Sequence, residues 1–181
     1  VQTGTDDYPS DVEVIARLID GLEVLPRAIA IPFEFKLAAS PHLAARMENR
    51  KLSLNEIVAA CRRAEAVSDA ELLLCEGAGG LYVPLNERDT MLDLIRELGY
   101  PALLVAPTGL GAINYTMLSI AAMRREGIDI AGIVFNGMPD GPDVIAEDNV
   151  HTIAAMSVVP VLALIPSIPG GVTQQTLAVA F

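Results

Sequence analysis

PALLVAPTGLGAINYTMLSIAAMRREGIDIAGIVFN, residues 101–136, carries the strongest fold signal in the chain. Its pattern predicts an apolar strand at 101–107, a helix at 112–126 and a second apolar strand at 128–136. Short connections between a strand, a helix and another strand are typical of parallel strands joined by a right-handed crossover. Both strands are nearly continuous apolar runs, which indicates a sheet that is buried on both faces.

The same alternation extends in both directions from this unit. Downstream, the pattern predicts a helix at 143–156 and the strand PVLALIP at 160–166. Upstream, ELLLCEGAGG (71–80) is a predicted strand that breaks into a glycine-rich turn, and Asp89 is predicted to cap the helix after it. We therefore expect a single α/β domain over residues 1–181, with a doubly wound, mostly parallel sheet and helices on both faces.

Three helix starts are visible in the N-terminal third of the chain. Ser10 is a suitable cap for a helix at 11–19, which Gly21 is expected to end. Ser40-Pro41 places a cap residue before a proline at the first helical position. Residues 53–56, Ser-Leu-Asn-Glu, form a capping-box pattern that predicts a third helix.

The composition argues against several classes of partner. A formal net charge of −11 would repel a nucleic-acid backbone or an anionic membrane, so we expect neither. Residues 149–181 carry no Asp, Glu, Lys or Arg, but prolines and glycines interrupt them too often for a spanning helix of about 20 residues. The opening VQTGTDDYPSD lacks the basic and apolar regions of a secretory signal.

The cysteines and histidines indicate neither a disulfide framework nor a metal cluster. Cys61 and Cys75 are expected to be reduced and buried, which is typical of a cytoplasmic protein. His42 and His151 lie far apart in the sequence. No order of Ser, His and Asp and no Cys–His pairing indicates nucleophilic catalysis, so no catalytic side chain is assigned.

The turns that follow strands are the candidate sites, because open parallel sheets bind ligands beyond the carboxyl ends of their strands. In residues 75–80, Glu76 could hold a hard cation such as Mg²⁺, and the small residues after it let backbone amides approach an anion. Residues 108–114 open a helix whose free N–H groups could hold a carboxylate or a phosphate. In the pair Asn136-Gly137, the asparagine side-chain amide has one donor side and one acceptor side, which suits hydrogen bonds to the edge of a purine base. From the residues alone, each is also compatible with an ordinary turn, and Asp11 with a favourable charge at a helix start.

Taken together, these segments resemble the dethiobiotin synthetases, a family of ATP-dependent ligases in the P-loop NTPase superfamily. The resemblance extends from Val1 to about Pro169, and its specificity comes from the order and spacing of seven segments. These are VQTG (1–4), Ser10-Asp11, AASPHLAA (38–45), CEGAGGLYVPL (75–85), PTGLGAINYTMLS (107–119), GIVFNG (132–137) and VPVLALIP (159–166).

The resemblance implies a function in biotin biosynthesis. It implies a cyclo-ligase that closes the ureido ring of dethiobiotin from 7,8-diaminononanoate and CO₂, with ATP as co-substrate and Mg²⁺ as cofactor. One amine and CO₂ would form a carbamate that attacks the γ-phosphate of ATP, and the second amine would then close the ring and release phosphate. A cytoplasmic homodimer is implied as well.

The resemblance also implies the roles of individual residues. Thr3 matches a contact to the diamine or its carbamate, and Asp11 and Glu76 match two carboxylates associated with Mg²⁺ and ATP. The other matches concern ATP and the carboxylate tail of the substrate. The residues matched to the tail would contact it across the dimer. For ATP they are Gly77, Ala78 and Gly79 on the phosphate side, Asn136 and Gly137 at the adenine, and Pro166, Ser167 and Ile168 closing over the base. For the tail they are Gly111, Ala112 and Asn114.

The chain departs from the family pattern in its phosphate-binding loop. No G-x-x-x-x-G-K-[ST] occurs, so the lysine and the Mg²⁺-binding threonine of that loop have no counterpart. A further family lysine would lie just before Val1. We therefore expect the chain to be N-terminally truncated relative to the family, which puts the activity of this exact chain in question. Two alternatives stay open: a non-catalytic scaffold or binding module without the loop, and another amidoligase of the superfamily, of the cobyrinate type.

Overall fold

The chain divides into two compact units, Val1–Leu98 and Gly99–Phe181. The computed structural model describes residues 1–7, 9–19, 25–168 and 172–173. Gly21, the predicted end of the first helix, lies outside these residues. Within the described ranges, no helix combines the length and the apolar character needed to cross a membrane.

The first unit combines two short parallel strands with five helices among its described residues. In chain order they are β1 (Gln2–Thr3), α1 (Asp11–Leu18), α2 (Arg27–Ala30), β2 (Glu34–Phe35), α3 (Pro41–Met47), α4 (Leu54–Val67) and α5 (Met91–Leu98). β1 pairs with β2, with Gln2 opposite Glu34 and Thr3 opposite Phe35. Phe35 is fully buried, and the guanidinium carbon of Arg50 lies 4.5 Å from the centroid of its ring.

The helix predicted after Ser10 is confirmed as α1. Ser10 Oγ accepts a hydrogen bond from the N–H of Glu13 at 3.3 Å, and the Glu13 carboxylate accepts one from the N–H of Ser10 at 2.9 Å. This exchange is a capping box, and it lowers the pKa of the Glu13 carboxyl. Arg27 then bonds Glu13 at 2.8 Å and Glu34 at 2.9 Å, which ties α1, α2 and β2 together.

Two further helix starts are confirmed, but neither predicted serine cap makes a side-chain capping hydrogen bond. Ser40 precedes α3, whose first residue is Pro41. Ser53 precedes α4, but its side chain makes no capping hydrogen bond. Without that bond the reciprocal exchange of a capping box does not form, so the box predicted at residues 53–56 is wrong.

α5 begins one residue later than the sequence predicts, with Thr90 and not Asp89 as its cap. The N–H and hydroxyl of Thr90 donate to Asp93 Oδ2 at 2.8 and 2.7 Å, and the N–H of Asp93 donates back to Thr90 Oγ1 at 3.4 Å. The Asp89 carboxylate instead accepts a hydrogen bond from the Asn86 amide. Both Asp and Thr are good cap residues, but only Thr90 has a carboxylate three positions later that can reciprocate.

The predicted strand at 71–76 and the predicted burial of Cys75 are both wrong. In the part of the chain that the structure describes, residues 71–76 form no strand, and Leu72 and Leu74 are 73% and 75% exposed. Cys75 is exposed and Cys61 is half-buried, and both are free thiols. An apolar run becomes a strand only where a neighbouring backbone pairs with it, and here no such ladder forms.

The second unit matches the predicted alternation of strands and helices. Its described elements are β3 (Ala102–Pro107), α6 (Ala112–Arg125), β4 (Ile130–Met138), α7 (Val144–Ser157) and β5 (Val161–Pro166). The three strands are parallel in the order β3-β4-β5, with Phe135 of β4 between Ala106 and Leu164. The predicted α/β class, with parallel strands connected by helices, is confirmed.

The core of the second unit lies where the middle strand meets the helices. Ile133 and Phe135 of β4 are completely buried, as is Ile153 of α7, and Met123 of α6 is 1% exposed. Arg124 of α6 donates to the backbone carbonyl of Ser157 at the end of α7. This bond satisfies a carbonyl that the helix itself leaves unpaired, so it fixes the two helices together at that end.

The Thr90–Asp93 pair predicts a pH-dependent stability. Hydrogen bonds from the hydroxyl and N–H of Thr90, and then the charge of Arg96, hold the pKa of Asp93 below its ordinary value. Such a carboxyl stabilises the fold above its unfolded pKa of about 3.9, and the contribution is lost as the pH falls through the lower folded pKa. Asp93→Asn should therefore lower the thermal midpoint at pH 7, and the difference from wild type should shrink below about pH 4.

Thermal unfolding followed by circular dichroism at several pH values checks this prediction. Asp140→Asn is a suitable control, because Asp140 is exposed and lies in the other unit. A difference between Asp93→Asn and wild type that stays constant between pH 7 and pH 3 would contradict the argument.

Candidate functional site

The first unit contains a cavity of about 560 Å³, and all of the predicted site residues of this unit line it. Two carboxylates, two hydroxyls and a glycine-rich turn line it. The predicted site residues along its wall are Thr3, Asp11, Glu76, Gly77, Ala78 and Gly79. Asp11 and Glu76, which are 65 positions apart in sequence, therefore face one common space.

Asp11 is held at the cavity by the start of α1. It is the first helical residue after the Ser10 cap, and its N–H donates to the side-chain carbonyl of Gln2 at 3.3 Å. This contact connects the helix start to β1, where Thr3 lines the same cavity. The residue is exposed, so its carboxylate is accessible at the cavity wall.

Glu76 opens a tight turn whose backbone is bound to the start of α5. A hydrogen bond of 3.0 Å joins the N–H of Val83 to the carbonyl of Gly80, and another joins the N–H of Met91 to the carbonyl of Val83. Gly79 has φ +82°, and an added Cβ would lie 2.9 Å from Val83 Cγ2. The turn therefore requires glycine at this position, and it keeps Glu76 and the backbone that follows at the cavity wall.

In the second unit, the predicted tail-binding residues surround the start of α6. Gly111 precedes the helix with φ +92°, and the N–H of Ala112 donates to the carbonyl of Gly109 at 3.1 Å. Ala112 is buried and Asn114 is exposed. No side chain caps this helix start, and an N–H group that the backbone leaves unpaired there could bind a carboxylate.

The predicted adenine-binding residues lie at the carboxyl ends of β4 and β5. Asn136 and Gly137 are exposed within the last three residues of β4, and Pro166 ends β5. The N–H of Ser167 donates to the carbonyl of Met138 at 2.7 Å, which ties the two strand ends together. Ile168 follows as a half-buried residue.

Comparisons with known proteins now give the family. The model of an AAA-domain family matches residues 1–175. The ATP-dependent dethiobiotin synthetase BioD of Anaeromyxobacter dehalogenans strain 2CP-1 is 41% identical over 160 residues, which are 87% of this chain and 69% of the relative. The chain belongs to the dethiobiotin synthetase family.

Other dethiobiotin synthetases match to a similar extent. The enzyme named BioD of Leptospira interrogans is 41% identical over 159 residues, or 87% of this chain and 66% of the relative. That of Paramagnetospirillum magneticum is 36% identical over 178 residues, or 98% of this chain and 78% of the relative. The family inferred from the seven sequence segments is confirmed.

The cavity also has lining residues to which the sequence analysis gave no role. They are Val1, Gln2, Pro9, Ala39, Ser40, Pro41 and Val83. Ser40 lies in a segment that resembles other dethiobiotin synthetases, and its Oγ is 3.0 Å from His42 Nδ1. Ser40-Pro41 predicted a helix start in the sequence. It did not predict that this start lines the cavity, because that depends on the path of the chain between β2 and α3.

The donor set of this dethiobiotin synthetase cavity fits magnesium that is bound together with a triphosphate. Mg²⁺ typically takes one or two protein carboxylates, and phosphate oxygens and water complete its coordination. Asp11 and Glu76 supply two such carboxylates at the cavity wall. Among the described residues, no group of three or more His, Cys, Asp or Glu side chains could hold a metal ion alone.

Proposed function

We propose that the protein is an ATP- and magnesium-dependent ligase that closes the ureido ring of dethiobiotin from 7,8-diaminononanoate and CO₂. The observation that carries the proposal is the shared cavity of Asp11, Glu76 and the turn at 77–79, in a chain of the dethiobiotin synthetase family. The relatives are named as ATP-dependent enzymes, and the cavity supplies the oxygen donors and small residues that a magnesium–triphosphate needs.

The proposed reaction has three bond-forming steps. One amine of the diamine adds to CO₂ and loses a proton, giving a carbamate. A carbamate oxygen then bonds to the γ-phosphorus of ATP as the bond to ADP breaks. The second amine finally attacks the carbamate carbon and loses a proton, and phosphate leaves as the ring closes. Most of the catalytic effect in such a reaction comes from orientation and charge neutralisation, so no covalent protein intermediate is required.

In this proposal, the residues of the first unit bind the parts of the substrates that react. Asp11 and Glu76 hold Mg²⁺, which when bound neutralises charge on the phosphates. The small residues at 77–79 let backbone amides approach the phosphate oxygens. The Thr3 hydroxyl contacts the diamine or its carbamate.

The residues of the second unit recognise the two ends of the substrates that do not react. Asn136 and Gly137 bind adenine, and the segment 166–168 closes over the base. Gly111, Ala112 and Asn114 receive the carboxylate tail at the start of α6 across a homodimer. We further propose that the protein is cytoplasmic and acts on small molecules, not on nucleic acid or membrane.

Phosphate release by the natural protein tests the proposal. With ATP and Mg²⁺ present, phosphate should appear only when 7,8-diaminononanoate and bicarbonate are both added, and mass spectrometry should find dethiobiotin. Phosphate release at the same rate without the diamine, or no release at all, would overturn the proposal. Glutamine-dependent amidation of a carboxylic acid would favour the cobyrinate-type amidoligases instead.

A further inference from the structure

A buried hydrogen-bond network in the second unit connects the loops that the proposed function assigns to different ligands. Asn149 of α7 is 7% exposed, and its side-chain nitrogen donates to the carbonyls of Thr108 at 2.9 Å and Gly109 at 3.0 Å. Thr108 is 4% exposed, and its hydroxyl donates to the carbonyl of Gly137 at 3.0 Å. One chain of contacts thus extends from α7 to the ends of β3 and β4.

These hydrogen bonds do more than pack α7 against the sheet, because they lie at the strand ends where the proposed ligands bind. Pro107 and Asn136 are opposite each other in the sheet, so Thr108 and Gly137 are the next residues at the carboxyl ends of neighbouring strands. Gly137 belongs to the proposed adenine site. Thr108 and Gly109 begin the loop that leads through Gly111 into α6, where the substrate tail is proposed to bind.

The chemistry of the partners restricts which residues can make these bonds. Both acceptors of Asn149 are backbone carbonyls, so the side chain must present its NH₂ group to them. A carboxylate at position 149 would place negative oxygens against two carbonyl oxygens. At position 108 the hydroxyl must donate, because Gly137 offers only a carbonyl.

We infer that Asn149 and Thr108 are positioning residues that hold the adenine-binding strand end and the tail-binding loop in one fixed arrangement. The inference rests on the proposed function for the identity of the two ligands. Neither side chain need touch a substrate, because each acts through the backbone of Thr108, Gly109 or Gly137. Loss of a hydrogen bond from the network should then weaken the binding of both substrates. A general loss of stability would not weaken substrate binding selectively.

Kinetics of matched threonine variants test the inference. Thr108→Val keeps the shape and removes the hydroxyl, so it should raise the KM for ATP and for the diamine by about three- to tenfold, the usual effect of one lost hydrogen bond. Thr108→Ser retains the hydroxyl and should stay within about twofold of wild type. Asn149→Ala should raise the KM for the diamine most, because it releases the tail-binding loop directly.

Thr116→Val is the control. Thr116 is 3% exposed, and within the described residues its hydroxyl has no hydrogen-bond partner, so its removal should leave both KM values unchanged. Thr108→Val with KM values equal to those of Thr116→Val would overturn the positioning role. So would a loss confined to kcat and the thermal midpoint, which a purely structural role would produce.

Amide hydrogen exchange gives a readout that does not depend on activity. In Asn149→Ala, amides of residues 109–112 should exchange faster than in wild type, and in Thr116→Val they should not. Unchanged exchange in Asn149→Ala would overturn the inference even if the enzyme is active. If the wild-type protein releases no phosphate with the diamine, the proposed function fails, while the exchange experiment still decides whether the network holds the loop.

Discussion

Replacing Glu76 by glutamine is expected to lower diamine-dependent phosphate release by about a hundredfold or more, since a metal that neutralises phosphate charge contributes several kcal/mol to the transition state. Glu76 and Asp11 are the carboxylates that line the proposed site. Glutamine keeps the size of the side chain but removes the charge that attracts Mg²⁺. The apparent affinity for Mg²⁺, measured from the metal dependence of the rate, should weaken in parallel.

Glu71→Gln is the matched control for this experiment. Glu71 lies five residues earlier, is exposed and does not line the cavity, so its variant should keep the wild-type rate and metal dependence. Circular dichroism should show that Glu76→Gln folds normally, because an exposed side chain contributes little to the core. A Glu76→Gln rate within twofold of wild type would remove Glu76 from the proposed metal site.

The second unit could be predicted closely because its information is local. The strands at 102–107 and 161–166 are short apolar runs, and longer segments at 112–125 and 144–157 separate the strands, so each element follows from its own residues. Parallel pairing then follows from the connections, which are too long for hairpins and are occupied by helices. Here boundaries were predicted to within about two residues.

The first unit was predicted less well because its structure depends on partners distant in sequence. The apolar run at 71–76 satisfies every local rule for a strand, yet a strand needs a paired backbone, and the sequence cannot say whether one is adjacent. The choice between Asp89 and Thr90 as a helix cap depended on which of them has Asp93 three residues later. A search for that reciprocal carboxylate would have found it.

The candidate site was likewise predicted only in part from the sequence. The family resemblance implied that Asp11 and Glu76 serve one magnesium–triphosphate and that Thr3 contacts the substrate, and the structure places all three on one cavity. Asn149 was not predicted as a site residue, because its amide acts on carbonyls about 40 positions away. No local pattern marks a buried asparagine inside a helix as the support of a distant loop.

Phe135→Ala should be the most destabilising single substitution proposed for the second unit, at about 3–5 kcal/mol. Phe135 is completely buried in the middle strand of the sheet, between Ala106 and Leu164. Alanine would remove most of the side chain and leave a cavity that the paired backbones of β3 and β5 cannot collapse to fill. Because total stabilities are about 5–15 kcal/mol, the midpoint of urea unfolding should fall markedly. Phe135→Leu, which retains most of the volume, should cost far less, and equal midpoints for the two variants would contradict the cavity argument.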